Sequence, residues 1–283
     1  MSQNRGRILD DKKQKENFLK NIGGDETSFK KERELEEIIA HSILASSGEK
    51  RENAYREGYE DLHNFLLSIS SGKYLYQKNL QRAVWKQTFI RRIIGRNQRV
   101  LEVGCGEGLL SIALAKSRNR TIGTDVSNLC ILISNINKMK FATTDVVFLE
   151  MSATKLRFSS NVFDWVISKD LIEHLHPDDA KRHLREANRV LRSEGRYLLI
   201  TPNARNDIRA GSTHLKEYTF EDLEALFSEA GFSVRVFLLP IISPINVLVN
   251  VKVKLVIQRL FNKLKFAYPL MGLDPIFLVT RKF

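Results

Sequence analysis

A chain of 283 residues, 43% of them hydrophobic, is long enough to bury one large core with a smaller appendage and too short for two full-size domains. It has two cysteines, Cys105 and Cys130, in neither a Cys-x-x-Cys nor a zinc spacing, which excludes a disulfide framework and fits a reducing compartment. A net charge of +12 favours polyanionic or membrane-surface partners without choosing between them, and the opening MSQNRGRILDDKKQKENF offers neither a secretory apolar stretch nor the charge mix of a transit peptide. The expected location is cytoplasmic, with peripheral membrane contact as an option.

Residues 1–25 are polar and lysine-rich with a Gly23-Gly24 break, and are expected to be a disordered arm, because they cannot bury enough surface to offset the entropy of ordering. From Phe29 to Ala45, and again over 54–70 and 74–94, apolar residues return every three or four positions, so 26–95 is expected to be a helical extension. After Gly95 short β-type runs alternate with helical ones. RVLEV, RTIGTD, DVVFLE, FDWVIS and GRYLLIT read as strands; GLLSIALAKS, SNLCILISNINK, the stretch Leu171–Leu191 and EDLEALFSEAG read as helices. That alternation predicts an α/β domain over 96–283, a mostly parallel sheet with helices on both faces, closed at one edge by FSVRVFLL and DPIFLVTRKF. Between those two lies a basic, apolar insertion, 240–273.

The run VLEVGCGEGLL (100–110) breaks from strand into three alternating glycines, Gly104, Gly106 and Gly108, a turn that lets a ligand approach backbone at a helix N-terminus. About twenty residues on, at the end of the second strand, Asp125 is placed to accept from a ribose. A dinucleotide fingerprint would require its third glycine where Leu109 stands. The pattern Glu102-x-Gly104-x-Gly106-x-Gly108 instead resembles motif I of the class I S-adenosylmethionine-dependent methyltransferases. TIGTDVS, FDWVISKDLIEHL and RVLRSEGRYLLITPN resemble the family's later motifs in order, so the likeness runs through roughly 98–239.

The resemblance implies a Rossmann-like fold with a seven-stranded sheet and an antiparallel closing strand, and S-adenosylmethionine as cofactor. It implies Glu102 near the cofactor's amino group and Asp125 on the ribose. With Gly104, Cys105, Gly106, Gly108, Val126, Ser152, Ala153 and Ser168 these residues make up the implied binding set. Ser152 stands where many relatives carry an acid for the adenine amino group. A hydroxyl accepts a hydrogen bond more weakly than a carboxylate, which shifts adenine recognition toward the backbone around Ala153.

Methyl transfer from a sulfonium is an in-line displacement, so the protein mainly aligns the acceptor and manages its proton. Asp170, Glu173 and His174, at i, i+3 and i+4, are expected on one helical face just past the fourth strand, with His174 as general base. Ubiquinone-pathway O-methyltransferases and small-RNA 2′-O-methyltransferases bind a divalent cation through a Glu-x-x-Glu-His element. The expected site is metal-free, as in relatives in which Glu173 caps or pairs and His174 touches substrate; the alternative that the similarity offers is a metal set of Asp170, Glu173, His174 and the later His214. His214 precedes a helix with Thr219 as expected N-cap and is read as a substrate contact.

Trp85, Tyr74, Tyr76 and Phe89, with Arg91 and Arg92, are read as a lid or as ordinary core, and Lys169 as a charge at the rim of the site. Residues 251–266 interleave lysines with an apolar helical stripe, suited either to a membrane interface or to packing on the domain's own edge. The expected reaction is methylation of an oxygen on a small, lipid-linked or glycan-linked molecule. The alternatives are a metal-assisted RNA 2′-O-methyltransferase, with nucleic acid ranked behind a small acceptor because the basic residues are dispersed, and a non-catalytic cofactor-binding adaptor working through the N-terminal helices. An N-acceptor and the oligomeric state stay open.

Overall fold

The protein is described here by a computed structural model covering residues 26–70, 87, 90–202, 204, 213–238 and 275–281. The expected arm (1–25), the aromatic lid candidates, and the insertion 240–273 with its basic stripe 251–266 lie outside the described residues. Two compact units divide the chain, Met1–Lys86 and Gln87–Phe283. No helix among the described residues is long and apolar enough to cross a membrane.

In the first unit, α1 (Glu26–Leu44) and α2 (Gly48–Ser70) form a helical pair. Their apolar residues recur at helical spacing, so Ile39, Ala40 and Ile43 are buried from one helix and Tyr55, Leu62 and Leu66 from the other. Arg51 Nε donates to the Ser46 carbonyl at 2.7 Å and closes the turn between them.

In the second unit the strands are β1 (Arg99–Val103), β2 (Arg120–Asp125), β3 (Val146–Glu150), β4 (Phe163–Lys169), β5 (Leu191–Ile200), β6 (Phe232–Leu238) and β7 (Pro275–Arg281). They form one sheet in the order β3-β2-β1-β4-β5-β7-β6. The first five run parallel; β7 pairs antiparallel with β5, and β6 antiparallel with β7. Among the described residues the helices that accompany them after β1 are α3 (Leu109–Ala115), α4 (Asn128–Lys140), α5 (Pro177–Val190) and α6 (Phe220–Glu229). Strand β4 is buried from Phe163 to Ser168, as expected of a parallel strand covered on both faces.

The boundary expected at residue 95 falls earlier. Ile90 and Ile94, at the end of the helical run before β1, pack with Val100, Leu110, Leu114, Trp165 and Ile167 in one core cluster. Burial of two isoleucines at one-turn spacing ties that turn to the sheet.

The stretch Leu171–Leu191 is not one helix. Asp170 has a left-handed backbone, φ 52°, then a single 3₁₀ turn spans Ile172–His174, and α5 starts afresh at Pro177. Proline lacks the N–H that a continuing helix would need and suits a first helical position, with His176 Nδ1 accepting from the Asp178 N–H as cap. At α6 the expected cap is present: Thr219 Oγ1 accepts from the Asp222 N–H, and Asp222 accepts from the Thr219 N–H, both at 3.1 Å.

Candidate active site

Strand order changes direction around β1, whose neighbours are β2 on one side and β4 on the other. Ligands of open α/β sheets bind beyond the carboxyl ends of such strands. The glycine loop leaves β1 there. Gly104 and Cys105 both donate to the Thr124 carbonyl, at 2.8 and 2.9 Å, which folds the loop back over β2. Gly106 donates to Asp125 Oδ2 at 2.9 Å, while Asp125 Oδ1 accepts from Ser127 N–H at 3.1 Å. The carboxylate that the resemblance assigns to the ribose therefore also ties the loop, with Val126 half-buried at the bend beside it.

The glycines have different reasons. Gly106 has φ 51° and open space where a side chain would stand, so at this half-buried turn a ligand can approach the backbone. Gly108 has φ 76°, and a Cβ there would lie 2.5 Å from the Phe148 ring and 2.8 Å from Ser134 Oγ, so it is required for packing. Cys105 is buried beside them, and burial pushes its thiol well above the usual range, which leaves it a small apolar residue.

Glu102 is buried, its Oε2 accepting from Ser111 Oγ at 2.5 Å. Burial raises its pKa to about 7, against the opposing pull of Ser111 and Lys169. A carboxyl held there is half-ionised at neutral pH and gains from an arriving ammonium, which matches its implied partner.

After β3, Met151 N–H donates to the Asp125 carbonyl at 2.8 Å and brings the next loop beside the glycine loop. Ser152 Oγ lies 2.9 Å from Thr154 Oγ1 and accepts from Thr154 N–H at 3.2 Å, so this hydroxyl is turned into its own loop. The Ala153 carbonyl accepts from His183 Nδ1 of α5 at 3.1 Å. Ser168, fully buried at the end of β4, lies 2.6 Å from Tyr197 Oη. His183 and Tyr197 were not legible as site residues in the sequence, because a helix and a strand have to be brought together before they meet.

Past β4, the three residues expected on one helical face separate. Asp170, in its left-handed conformation, is ion-paired with Lys169, whose side chain is half-buried, so the charge read at the rim of the site is a paired one. Glu173, His174 and His214 do converge. They are the one set of histidine, cysteine and carboxylate side chains among the described residues with ligand atoms all within 4.8 Å of one another. The segment carrying His214 is stapled to the 3₁₀ turn: Leu215 and Lys216 N–H donate to the Glu173 carbonyl at 2.8 and 3.2 Å.

Tautomers within the cluster follow from the partners. His174 Nδ1 lies 3.2 Å from the Thr213 carbonyl, which can only accept, so Nδ1 carries the hydrogen and Nε2 the lone pair. His214 Nδ1 likewise faces Glu217 Oε1 at 2.6 Å. Burial, reinforced by His214, pulls His174 down to about 4, so its imidazole is neutral. Burial with the neighbouring Asp170 raises Glu173 to about 8; its Oε2 accepts from Thr201 Oγ1 at 3.0 Å, and Oε1 has no partner among the described residues.

A family profile described as a methyltransferase domain matches residues 100–195. The uncharacterized methyltransferase YcgJ of Bacillus subtilis is 26% identical over 142 residues, 46% of this chain and 55% of that protein. The ubiquinone/menaquinone biosynthesis C-methyltransferase UbiE of Rickettsia akari is 29% identical over 157 residues, 50% of this chain and 60% of that protein. The crystal structure of YcgJ superposes with a TM-score of 0.54 at 18% identity, over 70% of this chain and 98% of YcgJ, a likeness of fold. The chain spans little more than half the length of the curated relatives it matches. Fold and site together define a Rossmann-like domain built for a nucleoside cofactor. More particularly, residues 100–195 match a methyltransferase domain, and the curated relatives that align with the chain are named methyltransferases, among them a probable S-adenosylmethionine-dependent one of Mycolicibacterium smegmatis at 30% identity over 53% of this chain and 56% of that protein.

Proposed function

We propose that this protein transfers the methyl group of S-adenosylmethionine to a hydroxyl oxygen of a small, lipid-linked or glycan-linked molecule, with His174 receiving the hydroxyl proton. The observation that carries this reading is the neutral His174 imidazole, its Nδ1 tied to Thr213 and its lone pair on Nε2, immediately past β4. The acceptor oxygen forms the new C–O bond as the C–S bond breaks, the sulfonium becomes a neutral thioether, and the proton passes to Nε2. Glu102 holds the cofactor's ammonium, Asp125 its ribose, and the backbone near Ala153 its adenine.

Labelled methyl transfer from S-adenosylmethionine into fractionated cell extract tests the reading. Base-stable label on a hydroxyl-bearing small molecule or lipid supports it. Label on carbon, as the name UbiE describes for that relative, on nitrogen or on RNA replaces the acceptor, and cofactor binding with no transfer to any fraction favours the adaptor.

A divalent cation at Glu173, His174 and His214 is a second reading, favoured by the unpartnered Glu173 Oε1 beside two imidazoles whose hydrogens are already committed on Nδ1. Imidazole ligands of metals ordinarily have their other nitrogen oriented in this way, and the mixed donor set suits a first-row transition metal better than magnesium. A bound cation would supply Lewis acidity that lowers the pKa of an acceptor hydroxyl. Asp170, ion-paired elsewhere, drops out of the expected ligand set.

A further inference from the structure

We propose that His183 and Tyr197 are positioning residues that hold the adenine-side loop through a one-way hydrogen-bond chain, Ser168 to Tyr197 to His183 to Ala153. The inference rests on the reading that the loop after β3 binds the cofactor. The chain crosses the interior between α5 and the sheet with distances of 2.6, 2.8 and 3.1 Å, and Ser168, Tyr197 and His183 are all fully buried.

Its direction is fixed from one end. The Ala153 carbonyl can only accept, so His183 Nδ1 carries the hydrogen; a neutral imidazole has one N–H, so Nε2 accepts and Tyr197 Oη donates to it. That uses the single tyrosine proton, so Ser168 Oγ–H donates to Tyr197 Oη. Burial pulls His183 down to about 4, consistent with the neutral form this requires. Tyr197 is held by edge-on contacts with Phe227 and Phe232, ring centroids 5.4 and 5.8 Å away, so its hydroxyl has a fixed position from which to act.

Both ends of the chain fall on elements of the cofactor site. Ala153 belongs to the loop whose serine hydroxyl is folded inward, leaving backbone to meet the adenine, and Ser168 is the penultimate residue of β4, just before Lys169 and the turn that carries His174. The adenine-side loop is thus tied to the end region of β4 through the buried side chains of His183 and Tyr197.

The test uses the full chain and Tyr197→Phe, which keeps the ring and deletes the proton. S-adenosylhomocysteine should bind the variant about tenfold more weakly, and the KM for S-adenosylmethionine should rise to match, with kcat at saturating cofactor within about twofold; a tenfold change corresponds to about 1.4 kcal/mol. Ser168→Ala should weaken binding in the same direction, and the double variant should lose less than the sum. Two measurements need no cofactor: ¹⁵N NMR should find the His183 hydrogen on Nδ1, and the amides of 153 and 154 should exchange faster in Tyr197→Phe. An Nε2–H tautomer, unchanged exchange, or unchanged S-adenosylhomocysteine affinity in the folded variant overturns the proposal. Where Tyr197→Phe does not fold, the tautomer and Ser168→Ala decide it alone. Wild-type protein that takes up no S-adenosylhomocysteine while both cofactor-free signatures are present overturns the cofactor reading instead.

Discussion

His174 and His214 meet edge to face, ring centroids 4.8 Å apart and planes at 81°. Each ring is oriented by a separate acceptor, the Thr213 carbonyl and the Glu217 carboxylate, and the backbone bonds from Leu215 and Lys216 to Glu173 keep the two segments in register. The pair is built by two turns that hold each other.

His174→Ala should cut turnover by about 10²–10⁴-fold if the imidazole receives the acceptor proton, with S-adenosylhomocysteine affinity unchanged. Steady-state kinetics beside calorimetry checks this; a rate within twofold of wild type removes His174 from the role.

The metal reading makes its own prediction. Cobalt(II) titrated into metal-free protein should give visible d–d absorption bands, which Glu173→Gln and His214→Ala should both abolish. A featureless titration, with no metal retained after dialysis, leaves the three residues to acceptor binding.

Glu102 sets a pH dependence whose sign can be worked out. Its folded-state pKa is raised from 4.5 to about 7, so the folded protein retains a proton that the unfolded chain has lost. Its contribution to stability is full below about pH 4.5 and is lost as pH rises through about 7, with a slope of up to about 1.4 kcal/mol per pH unit. Denaturant unfolding of ligand-free protein between pH 5 and 8 should reveal that slope, Glu102→Gln should remove it, and S-adenosylhomocysteine should bind more tightly as the carboxyl ionises.

Gly106→Ala and Gly108→Ala should separate binding from folding. The first meets open space and should cost about 1–2 kcal/mol of stability, for its positive φ, while obstructing the cofactor. The second drives a methyl group into Phe148 and should cost roughly 2–4 kcal/mol. Unfolding curves and cofactor titrations of both variants check the split.

What could be read from the chain was local. The glycine turn, the five parallel strands and the Thr219 cap each depend on neighbours within a few positions, and the sequence displays them directly. The Asp170-Glu173-His174 spacing was misread because i, i+3, i+4 describes a face only where a helix exists, and a left-handed residue before the 3₁₀ turn turns Asp170 toward Lys169 instead. His183 and Tyr197 carry no pattern of their own; a histidine on an amphipathic helix and a tyrosine in a strand read as core until β5 and α5 pack.

The two backbone bonds accepted by Asp125 give a structural task to the same carboxylate that is proposed to meet the ribose. An incoming nucleoside meets a hollow already shaped during folding, so little disorder has to be surrendered on docking and the uptake heat should vary little between analogues that keep both sugar hydroxyls. A substitution at position 125 would therefore loosen the cradle itself and not only the proposed sugar contact.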